Sequence, residues 1–146
     1  MKIVWIILSV LMLFCCCSNN SDDMKLGNWK SCKVSAEDIA ISEKDGDYHI
    51  YVPASGAVFS VMIDNYPGWY IGSISTQTTD KNDFRLIYYS GQNKETKDKD
   101  WYEFAVNEKK MRCSVFSNQL SIERTIKLVM SVGNAACYIY IHQAAK

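Results

Sequence analysis

Histidine occurs only twice in this chain of 146 residues, at His49 and His142, and neither sits at a metal-ligand spacing. The sequence also lacks a His-Glu-x-x-His segment, a Cys-x-x-Cys pair and a glycine-rich phosphate loop. These absences remove the zinc-protease, zinc-ribbon and P-loop classes. No nucleophile, base or metal set stands out, so the chain is expected to be non-catalytic and to need no cofactor. Charge of one sign is missing as well, with 16 basic against 16 acidic side chains. Such balance gives no electrostatic reason to expect a nucleic-acid partner. No apolar run reaches the roughly 20 residues that span a bilayer. No long segment carries a helical period, and no internal repeat occurs.

What is present begins at the N-terminus. Met1-Lys2 supply a minimal positive start, Ile3 to Phe14 follow as an apolar run, and Cys15, Cys16 and Cys17 close it. The chain then turns polar through Ser18-Asn19-Asn20-Ser21-Asp22-Asp23. The run has the length of a signal-peptide core. An apolar run that ends on cysteine and turns polar resembles a bacterial lipoprotein signal. That resemblance implies lipidation at Cys16, which has Leu13 three residues before it and Cys15 just before it. Cys17 is the alternative; Cys15 fits least, because bulky Phe14 precedes it. The expected plan is a signal over 1–15, a polar tether over 16–28 and one domain over 29–146. The membrane is then a partner through the lipid, and the outer membrane is the expected location. Ser21-Asp22-Asp23 resembles the acidic tag that directs some Bacteroidetes lipoproteins to the outer cell face.

Beyond the tether, β-branched and aromatic runs alternate with turn residues. Strands are expected at 29–35, 48–53, 57–64, 69–75, 84–90, 101–106, 111–117, 124–132 and 137–143. Ala36 to Ser42 reads as one helical turn, and the charged stretch Gly91 to Asp100 as a solvated loop. Phe59, Val61 and Ile63 share one face of their strand, as do Ile126, Leu128, Met130 and Val132 of theirs. In the last strand Cys137, Ile139 and Ile141 share a face, opposite Tyr138, Tyr140 and His142. Alternation with one wet face implies antiparallel sheets over a single core. Many short strands imply an all-β sandwich.

Three cysteines follow the signal: Cys32, Cys113 and Cys137. In an oxidising compartment they make one disulfide and one free thiol. Cys113 and Cys137 lie on the apolar sets of their strands and are the expected pair, with Cys32 able to replace either. Two buried free thiols are the other possibility. Asp45/Asp47 and Asp80/Asp83 read as turn formers rather than calcium ligands. The aromatics remain as candidate ligand contacts. Trp69 follows a Pro-Gly turn and is assigned to the core. Trp101, Tyr138 and Tyr140 are the candidate stacking residues.

Short motifs then carry a family resemblance. Ala54-Ser55-Gly56 runs into Val58-Phe59-Ser60-Val61, and Asn65 precedes Trp69. Asn118 and Arg124 lead into Ile126-Lys127-Leu128-Val129-Met130, and the chain closes on Tyr138-Ile139-Tyr140-Ile141-His142-Gln143-Ala144-Ala145. This resembles the BACON domain, a Bacteroidetes-associated, carbohydrate-binding, often N-terminal module. The resemblance spans about 55–145. It departs from the family over 76–110, which is longer than expected, and no Ser-Gly pair follows Trp101. It implies an immunoglobulin-like antiparallel β-sandwich and a glycan, such as mucin or plant polysaccharide, as partner. The alternative expectation is a structural or protein-interaction lipoprotein that contacts other envelope proteins.

Overall fold

The computed structural model describes residues 31–78, 84–89, 95–98, 100–133 and 135–146. The expected signal, lipidation cysteines and tether, together with Trp29, Asp80 and Asp83, lie outside the described residues. Eleven strands follow in order: β1 (Val34–Glu37), β2 (Ile41–Lys44), β3 (Asp47–Val52), β4 (Ala57–Ile63), β5 (Tyr70–Gln77), β6 (Arg85–Tyr89), β7 (Glu95–Asp98), β8 (Tyr102–Asn107), β9 (Lys110–Val115), β10 (Arg124–Val132) and β11 (Ala135–Gln143). They form two sheets, a smaller one in the order β1-β4-β9-β8-β7 and a larger one in the order β2-β3-β11-β10-β5-β6.

Each sheet turns one face inward, and strand alternation decides which. Phe59, Val61, Ile63, Met111, Cys113, Val115 and Phe104 come from the smaller sheet. Ile50, Val52, Ile126, Leu128, Met130, Ile139 and Ile141 come from the larger. Together they form one hydrophobic cluster. Each such side chain taken from water contributes about 1.5–3 kcal/mol. Trp69 is buried in the same cluster, as its place after the Pro-Gly turn implies.

Three features differ from simple alternating antiparallel strands. First, β3 and β11 run parallel, with Tyr140 beside His49 and His142 beside Tyr51. Second, the expected helical turn over 36–42 is the end of β1, a bend and the start of β2. The charged stretch contains β7, which pairs with β8 as an edge strand. Charged side chains on an edge discourage pairing with another chain. Third, β5 carries an extra residue. Val129 faces Ser73 but Met130 faces Ile71, so Gly72 has no partner. Without this bulge, Ile71 and Ile74 would point to opposite faces. With it both are buried, at 1% and 0% exposure.

Turn chemistry completes the frame. The β2–β3 hairpin turns on Asp45 and Gly46, with φ of 55° and 86°. Two successive positive φ values are what a tight hairpin turn needs, and Asp-Gly supplies them. Gly56 also has φ 86° and leads into β4. A Cβ there would lie 2.3 Å from the Val115 carbonyl oxygen, while one at Gly46 meets nothing within 4 Å.

The two glycines should therefore respond differently to alanine. Gly46→Ala carries only the left-handed backbone cost, about 1 kcal/mol. Gly56→Ala adds a backbone clash and should cost about 3 kcal/mol in total. Denaturant unfolding of the two variants checks this; equal losses would show that β9 yields freely at Val115.

Candidate functional site

Two polar regions are built on this frame, one inside and one on the surface. The buried one lies where β10 begins and β11 ends. Arg124 and Gln143 are register partners, and Arg124 Nε donates to Gln143 Oε1 at 2.8 Å. Arg124 Nη2 donates to the carbonyls of Phe116 and Ser117 at 3.4 and 3.3 Å. Gln143 Nε2 donates to the Phe116 carbonyl at 2.7 Å and to that of Pro53 at 3.4 Å. Asn118 extends the network, its amide donating to the carbonyls of Ile122 (2.8 Å) and Ala144 (2.9 Å). The Arg124 guanidinium sits over the Trp101 ring, 4.5 Å from its centroid. Burial pushes the Arg124 pKa down, against the opposing pull of Asp98.

Trp101 is thus not a surface platform. It is 6% exposed and belongs to the core cluster. It packs against Tyr102, whose hydroxyl is pushed up to about 12 by burial first and by Asp98 second. The expectation that Trp101 joins Tyr138 and Tyr140 in one stacking site is corrected. Trp101 leads into β8 of the smaller sheet, and the two tyrosines lie on β11 of the larger. Trp101 is held inside because an arginine without a carboxylate partner among the described residues needs a ring and carbonyls around it.

The surface region lies on the outer face of the larger sheet. Tyr138 is exposed, whereas Tyr140 and His142 are half-buried. His49 and Tyr51 join them because β3 runs parallel beside β11. Tyr140 lies near-parallel to His49 with centroids 5.2 Å apart, and Tyr51 near-parallel to His142 at 5.0 Å. Between the tyrosines the imidazoles meet edge to edge. Their planes differ by 7° and their centroids are 5.3 Å apart, while His49 Nδ1 and His142 Nε2 are 3.0 Å apart. The centroid separation equals the nitrogen distance plus a ring radius at each end, so the rings are nearly coplanar and joined by one in-line hydrogen bond. A metal ion has no room between nitrogens that point at each other this closely. His142 Nδ1 continues the chain to Thr125 Oγ1 at 3.2 Å.

Lys127 extends over the other end of the row. Its Nζ lies 4.9 Å from the Tyr138 centroid, 5.4 Å from that of Tyr140 and 5.9 Å from that of Phe84. At the opposite end Tyr51 is 68% exposed. It borders a cleft of about 160 Å³ whose other walls include Glu123, Thr125, His142 and Gln143. Tyr51, His49 and Glu123 were not among the residues expected from the sequence. The Asp47-x-His49-x-Tyr51 alternation was visible, but only the parallel pairing of β3 with β11 makes it continue the Tyr-x-Tyr-x-His series.

Cys32, Cys113 and Cys137 are all buried with free thiols in this structure, so no pair among them is joined, the expected Cys113–Cys137 pair included. Both expected partners point into the core, but from opposite sheets, Cys113 from β9 and Cys137 from β11. The Cys113 thiol donates to the Met111 carbonyl of its own strand at 3.8 Å.

No family model and no curated protein matches the chain. A solved structure is similar, an NMR structure of a protein from Bacteroides thetaiotaomicron. It is 20% identical with a TM-score of 0.62, over 84% of this chain and 93% of that one. At this identity the likeness shows the fold.

Two outcomes follow from the two regions. Trp101→Ala should cost about 3–5 kcal/mol of unfolding free energy, whereas Tyr138→Ala should change it by at most about 0.5 kcal/mol; a harmless Trp101→Ala would contradict the core placement. The second outcome is a pH dependence. Burial first, then His49, hold His142 below its usual 6.5, against Glu123. As pH falls through 6.5 the unfolded chain takes up this proton before the folded chain does. Stability should fall from pH 6.5 down to the folded value and level off below it. Urea unfolding across that window should show the slope, and His142→Gln should flatten it.

Proposed function

We propose that this chain is a cell-envelope lipoprotein whose β-sandwich binds carbohydrate without catalysis, and that the sugar is held at the Tyr51 cleft. The carrying observation is Tyr51 itself, 68% exposed at the end of the ring row, beside a cleft walled by Glu123, Thr125 and His142. A flat ring offers the apolar C–H face of a sugar a stacking surface. The carboxylate, hydroxyl and imidazole offer its hydroxyls acceptors and donors. A concave patch with one apolar wall and a few converging polar groups is the usual form of a small-ligand site. The Lys127 ammonium lies over the Tyr140 ring whereas Tyr51 is open to solvent, which turns the site toward Tyr51 and away from Tyr140.

The sandwich is read as immunoglobulin-like. Support comes from strand order: β1-β4-β9-β8 follows the A-B-E-D sheet of that fold, and β11-β10-β5 follows its G-F-C sheet. The BACON resemblance then supplies the carbohydrate class, mucin or plant polysaccharide. The apolar run ending in Cys16 and Cys17 supplies the lipid anchor, with the outer membrane as the location. A second reading, a protein-interaction lipoprotein, is favoured by one observation. Phe116, Leu120 and Ile122 are exposed at 37%, 47% and 43% along the β9–β10 connection. Apolar side chains gathered on one surface mark contact sites.

A glycan array probed with the detergent-extracted chain separates the two. Carbohydrate binding should appear and should weaken about tenfold in Tyr51→Ala, a loss of about 1.4 kcal/mol. Absence of binding at millimolar sugar, with an envelope protein captured by wild type and lost in Leu120→Asp/Ile122→Asp, would transfer the function to the second reading. Sugar binding untouched by Tyr51→Ala would move the site elsewhere.

A further inference from the structure

We propose that Cys32 and Cys137 form a disulfide in the exported chain, joining the segment that leads into β1 to the start of β11. The proposal rests on the export reading above, because only an oxidising compartment retains such a bond.

The pairing follows from where the two thiols lie. Cys32 is 6% exposed and Cys137 is 4% exposed, both in the same core cluster. Cys137 resists ionisation chiefly through burial and then through the adjacent Cys32 thiol. Cys113 instead lies between Phe59 and Phe104 as their register partner in the smaller sheet, its thiol bonded to the Met111 carbonyl of its own strand. The backbone at Cys32 is fixed on both sides. Tyr48 Oη donates to the Cys32 carbonyl at 2.6 Å, and Tyr48 is the register partner of Ile139 on β11. Asn65 donates through Nδ2 to the Ser31 carbonyl at 2.9 Å and accepts from the Lys33 N–H at 2.7 Å. The Asp64 N–H donates to the Lys33 carbonyl at 2.8 Å. These bonds fix the backbone at Cys32 beside Tyr48, whose register partner Ile139 lies two residues along β11 from Cys137, on the same inward face. Proximity of this kind turns a bimolecular sulfur exchange into an intramolecular one.

The chemistry is exchange with an incoming disulfide, carried by an envelope thiol–disulfide oxidoreductase. Cys32 attacks first, since it lies in a non-strand segment whereas Cys137 is inside β11. The Cys32 thiol loses its proton, and its sulfur attacks one sulfur of the oxidant. The oxidant's S–S bond breaks, its other sulfur leaves and takes up a proton, and a mixed disulfide remains. Cys137 then loses its proton and attacks the Cys32 sulfur. The Cys32–Cys137 bond forms and the oxidant's second sulfur leaves as a thiol. Two protein thiols are oxidised, and one disulfide is reduced to two thiols. Both sulfurs are buried in the closed core, so the exchange belongs to a late folding stage in which β11 and the bonds at Ser31–Lys33 have formed and the core still admits the oxidant. The closed loop is on the order of 100 residues, which places the bond among the more stabilising ones.

The test uses the full chain made in its own envelope and fed an alkyne fatty acid. Cells are lysed in alkylating agent and the non-reduced peptides are mapped by mass spectrometry. The expected result is acyl label, an alkylated Cys113 and a linked Cys32–Cys137 peptide. Reduction should lower Tm by roughly 10 °C, and Cys32→Ser should leave Cys137 alkylated. Alkylation of both Cys32 and Cys137 in acyl-labelled chain overturns the proposal, as does any link through Cys113. Absence of acyl label would mean that the export reading has failed. The full chain refolded in mixed oxidised and reduced glutathione then decides the pairing alone. The linked peptide there upholds it and its absence overturns it.

Discussion

One buried cation organises an end of this molecule. Arg124 opens β10 beneath the Trp101 ring, and its charge is met by carbonyls, the Gln143 amide oxygen and that ring. Such a charge is tolerable only while each donor is satisfied, because an unpaired buried group costs several kcal/mol. The requirement fixes the path of three otherwise unrelated segments. Phe116 and Ser117 must present their carbonyls after β9, Pro53 must present its own after β3, and Gln143 must reach across from β11. Asn118 repeats the arrangement beside it, holding Ile122 and Ala144 while its own N–H donates to the Ala54 carbonyl at 2.7 Å. Arg124, Gln143 and Asn118 therefore act here as architecture.

The surface row follows a different logic. Parallel pairing puts His49 directly beside Tyr140 and Tyr51 beside His142, so four rings meet without any loop to position them. A row built on two central strands moves little when ligand arrives, and rigid sites lose less entropy on binding. The in-line hydrogen bond between His49 and His142 also ties the row together. Burial first and His49 second disfavour a charge on His142. Acid therefore acts on the middle of the row, with Tyr51 and Tyr140 on either side of the disturbance.

Much of the fold was legible because alternation and burial have the same cause. The series Phe59-Val61-Ile63 and Ile126-Leu128-Met130-Val132 all reached the core, since a strand can bury only every second side chain. The Gly72 bulge broke the rule, and nothing local to Gly72-Ser73 distinguishes an extra residue from an ordinary strand position. The β7 strand was hidden because the charged side chains of an edge look like those of a loop. The site was less legible than the core. Tyr138 and Tyr140 were placed on the wet face, but Trp101 was set beside them although it serves Arg124. Exposure of a ring depends on what lies over it, and its cover, a residue on β10, is distant in sequence. The cysteines were legible only as far as burial: alternation pointed Cys113 and Cys137 inward, as they are, but carries no information on which thiols lie side by side.

The parallel course of β3 and β11 has a consequence for presentation. Both strands finish at the pole where Arg124, Gln143 and the Tyr51 cleft lie. Ser31 and Cys32 sit at the other pole, beside Tyr48 and Asn65. Whatever holds the chain upstream of Ser31 grips it at the far end from the cleft. Under the lipoprotein reading, the anchored end and the Tyr51 cleft therefore lie at opposite poles of the sandwich, a strand's length apart.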